Sequence, residues 1–188
     1  LHDALPIYQG NPKNEPIAFG GYTPVEKVYN FNPTPKNLTS EEANYILGAQ
    51  ANLWTEYIET PSHVEYMIFP RMFALSEVLW GTSNPEKYAD FQNRMIHHFD
   101  LLESKGINYS KAVFDITSNV KAAKNANGIL FELNSVKNNN FIRYTTDRTV
   151  PTINSTPYIQ PIQISENTIV KAAYFENGKQ KSATLQQA

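Results

Sequence analysis

The sequence predicts an α/β region followed by an all-β region, and three observations lead to that expectation. Between residues 49 and 105 a short buried run is followed by apolar positions recurring at spacings of three and four. Beyond residue 108 the texture changes to short strand-like runs, bounded by Asn, Gly, Pro and Asp, at intervals of roughly 8 to 12 residues. The change falls at residues 109–111, so the expected division is residues 8–108 and residues 109–188.

The first seven residues, LHDALPI, read as a translated sequencing adapter rather than natural protein and are left out of the fold. Residues 8–35 are dense in Gly, Pro and Asn and predict a long irregular segment, a kind of loop that tends to be functional. In LTSEEANYIL, Thr39 with Glu42 makes a capping box and Gly48 a C-cap, so a helix of about two turns is expected. AQANLW, residues 49–54, is too short and too abruptly bounded by Gly48 for another helix and reads as a buried strand. Thr60-Pro61 is an N-cap with proline at the first helical position, after which Val64, Met67, Ile68, Met72, Leu75, Val78 and Leu79 share a face as far as Trp80-Gly81. Pro70 inside that pattern predicts a kink or a split. Asn84-Pro85 starts a further helix with Tyr88, Phe91, Met95, Phe99 and Leu102 on its face, ending at Lys105-Gly106. Helix, strand and long helix in succession are the pieces of a β/α unit. VFDIT, GILFELNS, FIRYTTD, YIQPIQIS and TIVKAAYFENG are then the strands of a small antiparallel β-sandwich.

Composition removes several function classes. The 188 residues are 41% hydrophobic and 18% charged, enough for one ordinary domain or two small ones. Net charge is -2 and the basic residues are scattered singly, so neither nucleic acid nor anionic lipid is expected as a partner. The absence of cysteine excludes disulfides, thiolate catalysis and Cys-based zinc sites. No apolar run approaches the ~20 residues of a membrane span, and the N-terminus lacks the basic-then-apolar order of a signal peptide.

The stretch NLWTEYI places a tryptophan two residues before a carboxylate. On an extended strand Asn52, Trp54 and Glu56 share one face, and a carboxylate at the end of a buried strand lies where β/α barrels build their sites. An indole covers the apolar C–H face of a sugar while a carboxylate accepts from its hydroxyls, each such bond worth roughly 1.5–3 kcal/mol. Spacing alone favours the plainer alternative, with Trp54 in the core and Glu56 solvated. The other candidates are structural: His97 and His98 are adjacent on a helix and cannot share a face, His63 opens a helix, Glu65 and Glu77 suit salt bridges or a solvated face, Arg71 suits an anchor to a neighbouring carboxylate, and Trp80 suits the core. No metal and no cofactor is expected. Asn37, Asn108 and Asn154 begin short glycosylation-like triplets of little weight.

Residues 46–81, ILGAQANLWTEYIETPSHVEYMIFPRMFALSEVLWG, resemble the C-terminal end of the catalytic (β/α)8 TIM barrel of family 20 glycoside hydrolases, the β-N-acetylhexosaminidases. EPIAFGGYTPVEKVYNFNPTP resembles the segment joining the seventh and eighth barrel strands of the same family. The resemblance implies that residues 8–108 are the C-terminal part of a catalytic barrel, that Trp54 forms a wall of the pocket for a terminal N-acetylhexosamine, and that Glu56 accepts from its 4- and 6-hydroxyls. It implies a substrate-assisted retaining reaction, in which the sugar's 2-acetamido oxygen attacks the anomeric carbon, an Asp orients it and a neighbouring Glu acts as acid. No Asp-Glu dipeptide occurs in this chain, so that pair is expected upstream and the chain alone is expected to be inactive. Ala4 and Pro6 stand where the family has the Tyr and Asp of a Tyr-x-Asp motif.

Residues 142–180 are similar to C-terminal sandwich modules of bacterial hexosaminidases, with Asp147-Arg148 in place of their usual Asp-Gly turn, so either the turn is of another type or Arg148 is strained. Tyr144, Tyr158 and Tyr174 suit the core better than a sugar platform. The implied partners are N-acetylhexosamine-terminated glycans or chitooligosaccharides, and the implied location is periplasmic, cell-surface or secreted. A carbohydrate-binding or adhesive module and a pseudoenzyme are the competing expectations.

Overall fold

The computed structural model describes residues 4–5 (backbone only), 8–18, 20–81, 84–123 and 128–188. The chain divides into two compact units after Ser110. Of the adapter-like stretch, residues 1–3 and 6–7 lie outside the described residues, while the backbone of Ala4–Leu5 forms a strand, β1.

In the first unit β1 pairs in parallel with β2, Asn52–Leu53, with Leu5 opposite Leu53. The helices are α1 (Val25–Tyr29), α2 (Ser40–Ala43), α3 (Pro61–Ile68), α4 (Arg71–Leu79) and α5 (Tyr88–Ser104). Helix α1 falls inside the segment expected to be irregular. Its five residues are too few for a periodic signal; it packs on α4 and buries Val25 and Tyr29, one turn apart. Helix α2 has the expected capping box, in which hydrogen bonds from the Thr39 backbone and hydroxyl hold the Glu42 carboxyl below its ordinary range. It ends at Ala43 rather than near Gly48, because Asn44, Tyr45 and Ile46 donate to carbonyls three residues back and tighten the chain into turns.

The long helix expected from Pro61 to Trp80 is split at Pro70 into α3 and α4. Proline cannot donate to the carbonyl four residues earlier, so the ladder stops there. The core forms where α4 meets α5: Ala74, Leu75 and Val78 are buried, as are Phe91, Met95, Ile96, Phe99 and Leu102. Tyr29 stacks on Phe91 at 4.6 Å and Phe99 on Tyr109 at 4.3 Å. Trp80, expected in the core, is 84% exposed. It lies two residues past buried Val78, about 200° further round a helix of 3.6 residues per turn, and so on the opposite side.

The second unit consists of two antiparallel sheets. β3 (Thr117–Ala122), β4 (Ile129–Asn134) and β7 (Ile162–Ile164) form one, in the order β3-β4-β7. The other has the order β10-β8-β5-β6, with β9 also paired to β8: β5 is Ile142–Thr145, β6 Thr156–Pro157, β8 Val170–Glu176, β9 Lys179–Gln180 and β10 Leu185–Gln187. The expected strand in VFDIT is instead a 3-10 turn over Ala112–Phe114, with the strand beginning at Thr117. Tyr174 and Tyr158 are buried, which removes two of the three rings from any sugar platform. At the turn, Arg148 adopts φ +71°, the left-handed conformation that glycine takes without cost, while Asp147 accepts from the N–H and hydroxyl of Thr149.

Candidate functional site

β1 and β2 run parallel, so Leu5 and Leu53 end them on the same side; Trp54 directly follows β2, and Tyr8 is the first described residue after β1. β2 is shorter than the six-residue strand expected, and among the described residues it pairs with Ala4–Leu5. Trp54 and Glu56 therefore stand just beyond the strand end, and strand alternation does not set their directions. The plainer alternative for Trp54 does not hold: the indole is 54% exposed. Glu56 is exposed, and among the described residues its carboxylate accepts no hydrogen bond. The backbone turns immediately afterwards, with Ile58 N–H donating to the Thr55 carbonyl at 3.1 Å. Thr60 then caps α3 by accepting from His63 N–H at 3.2 Å. The result is an exposed aromatic face and an unengaged carboxylate two residues apart, able to cover a sugar ring and to accept from hydroxyls.

Beneath this edge the fold is held by replacement donors. In an uninterrupted helix the N–H of residue 70 would serve the Tyr66 carbonyl, and that of residue 71 the Met67 carbonyl. Pro70 has no N–H, and Gln9 Nε2 donates to Tyr66 O at 2.7 Å instead. For Met67 O the donors are the Arg71 side-chain atoms Nε, at 3.2 Å, and Nη2, at 2.5 Å. Arg71 Nη1 also donates to the Thr23 carbonyl at 3.5 Å. Arg71 is only 2% exposed, and burial pushes its guanidinium down to about 10, opposed by the charge of Glu15 and by Tyr66. These three hydrogen bonds go to carbonyls, and the carboxylate of Glu15 acts on the guanidinium through its charge. A cavity of about 190 Å³ lies beside it, lined chiefly by apolar side chains such as Leu53, Ile68, Met72 and Leu75, with no carboxylate among the described residues of its wall.

The remaining candidates are structural. Glu77 pairs with Arg94 at 2.7 Å, and Arg94 also bonds Asp90. Glu65 accepts from Asn108 N–H at 2.8 Å, and the Asn108 amide donates to Ser62. His98 packs on Phe73 with ring centroids 5.1 Å apart. Among the described residues no group of three His, Asp or Glu could hold a metal ion, and no helix is long and apolar enough to cross a membrane. Gln9 and Glu15 were missed by sequence reasoning. The signal available was Pro70, whose missing N–H requires a donor from elsewhere.

Residues 5–83 match the family model described as glycosyl hydrolase family 20, catalytic domain, and residues 131–188 match the Fn3 associated model. A beta-hexosaminidase of Porphyromonas gingivalis is 36% identical over 170 residues, covering 89% of this chain and 22% of that protein. A beta-hexosaminidase of Emericella nidulans is 28% identical over 92 residues, 47% of this chain and 15% of its own length. One from Vibrio vulnificus is 32% identical over 96 residues, 40% of this chain and 11% of its own length. The chain thus spans about a fifth or less of the length of these relatives. Residues 5–83 belong to the catalytic domain of glycosyl hydrolase family 20, and an Fn3-associated region follows at residues 131–188.

Proposed function

We propose that this chain is the C-terminal part of an exo-acting β-N-acetylhexosaminidase, and that the whole protein removes terminal β-linked N-acetylglucosamine or N-acetylgalactosamine from glycans or chitooligosaccharides. The observation behind this reading is the exposed Trp54 and unengaged Glu56 just past the C-terminal end of a parallel strand, within the segment that matches family 20. Active sites of β/α barrels are built at that end of their strands. Trp54 covers an apolar face of the terminal sugar, and Glu56 accepts from its hydroxyls.

The chemistry is substrate-assisted. The acetamido oxygen attacks the anomeric carbon, the glycosidic bond breaks, and water later opens the cyclic intermediate with retention. An Asp to orient the acetamide and a Glu to protonate the leaving oxygen belong to an adjacent pair that this chain lacks, and the reading places them upstream. Trp54 and Glu56 are accordingly binding residues rather than the acid. The periplasm, cell surface or exterior is the compartment this reading assigns. A sugar-binding role for residues 109–188 is disfavoured by the burial of Tyr158 and Tyr174. Assaying the 188-residue chain and the full-length gene product side by side on an aryl N-acetylglucosaminide tests the proposal. Turnover by the longer protein alone is expected, and turnover by the 188-residue chain would overturn it.

A further inference from the structure

One side chain ties the loop leaving β1 to the helix that the Trp54–Glu56 loop feeds. Gln9 follows Tyr8 at the site edge and is 3% exposed. Its backbone N–H donates to the Glu15 carboxylate at 2.9 Å, and the next N–H, that of Gly10, donates to the same carboxylate. Its side chain crosses to α3 and supplies the donor that Pro70 lacks, at 2.7 Å to Tyr66 O. A second tie runs alongside: Thr23 N–H donates to Tyr8 O at 2.9 Å, and Arg71 links the Thr23 and Met67 carbonyls. The chain leaving β1 is thus pinned both to its own loop, through Glu15, and to α3, through Gln9.

We propose that Gln9 is a positioning residue of the sugar site, holding the β1 loop at a set distance from the loop bearing Trp54 and Glu56 by standing in for the missing N–H of Pro70. The proposal rests on the sugar-binding reading of those two residues. The bond was free to come from any nearby donor, or from water if the helix break were solvated. It comes instead from Gln9, four residues past the end of β1, so the distance between the two loops depends on it. Displacements of about 1 Å in a substrate-holding element can change rates by as much as a hundredfold.

The test is made in the full-length gene product, on an aryl N-acetylglucosaminide, at a temperature where circular dichroism shows each variant folded. Gln9→Leu removes the donor, and kcat/KM is expected to fall by roughly tenfold or more, mostly through KM. Gln9→Glu adds a pH readout. Glu15 and Arg71 are its charged neighbours among the described residues, and an ionised carboxyl there cannot donate to Tyr66 O, whereas a protonated one can. Its kcat/KM relative to wild type should be depressed at neutral pH and recover as pH falls. Wild-type kcat/KM in Gln9→Leu with only a lowered Tm, or a flat pH ratio in Gln9→Glu, overturns the proposal. Failure of both variants to fold assigns the bond to stability alone and overturns it equally. Glu56→Gln in the same protein separates the two claims. If it is silent, the sugar-site reading fails; if it is impaired while the Gln9 variants are normal, only the positioning role fails.

Discussion

Arg71 donates from Nε to the carbonyl of Met67 at 3.2 Å, one helical turn before it and across the break at Pro70. Its side chain thereby does for Met67 what a backbone N–H does elsewhere in a helix. Replacing it by methionine keeps the apolar stem but leaves the Met67 and Thr23 carbonyls without this donor. Each buried polar group left unsatisfied costs about 1–3 kcal/mol, partly offset because a desolvated charge is also removed. Arg71→Met is therefore expected to destabilise the first unit by about 2 kcal/mol or more. Chemical denaturation followed by tryptophan fluorescence measures it, and an unchanged midpoint would show that the guanidinium contributes nothing net.

Glu56 is exposed and accepts no hydrogen bond among the described residues, so its substitution should separate binding from folding. In the full-length protein Glu56→Gln is expected to leave stability within about 0.5 kcal/mol of wild type, as surface changes do. Transition-state stabilisation should fall by about 1.5–3 kcal/mol, the worth of a hydrogen bond to a charged group. Trp54→Ala should lose activity with less loss of stability than a buried indole would cause, since the ring is half in solvent. Steady-state kinetics beside a thermal melt decides both.

Legibility in the sequence follows the range of each interaction. The split at Pro70, the caps at Thr39, Thr60 and Asn84, and the apolar face of α5 are local, and all were readable from a few neighbouring residues. Trp80 was misjudged because a residue at a helix end was assigned to the helix's buried face, although its angle puts it opposite Val78. Helix α1 and the short β2 depend on partners distant in sequence, α4 for one and β1 for the other, and neither partner leaves a mark on the local pattern. For the site, spacing alone favoured Trp54 in the core with Glu56 solvated, and only the long motif around them pointed to a sugar. The bond made by Gln9 was invisible because its partner, Tyr66, lies 57 residues away.

Tyr158 is expected to act as a structural bond rather than a sugar platform. Its hydroxyl accepts from the N–H of fully buried Leu133 at 3.1 Å, joining the segment before β7 to the C-terminal end of β4. Tyr158→Phe keeps the ring and leaves that N–H without a partner, which should cost about 1–3 kcal/mol. Ile159→Ala, at the exposed next position, should stay within about 0.5 kcal/mol of wild type. Equal effects of the two substitutions in urea melts would contradict the assignment. Binding of chitooligosaccharides lost in Tyr158→Phe but kept in wild type would restore the platform.

Gly128 opens β4 at φ +117°, and a Cβ built there would stand 2.1 Å from the carbonyl oxygen of Ile164 on the neighbouring strand β7. Gly178 also has a positive φ, +76°, but a Cβ there would meet nothing within 4 Å. The pair separates backbone strain from collision. Gly178→Ala should cost about 1–2 kcal/mol, the penalty of a left-handed conformation for a residue with a Cβ. Gly128→Ala should cost more, because β7 must also move away from Ile129 and Phe131, with which Ile164 and Ile162 are paired. Amide exchange should accordingly rise along β4 and β7 in Gly128→Ala and stay at wild-type levels there in Gly178→Ala. Similar exchange in the two variants would show that the close approach to Ile164 is relieved without disturbing the ladder.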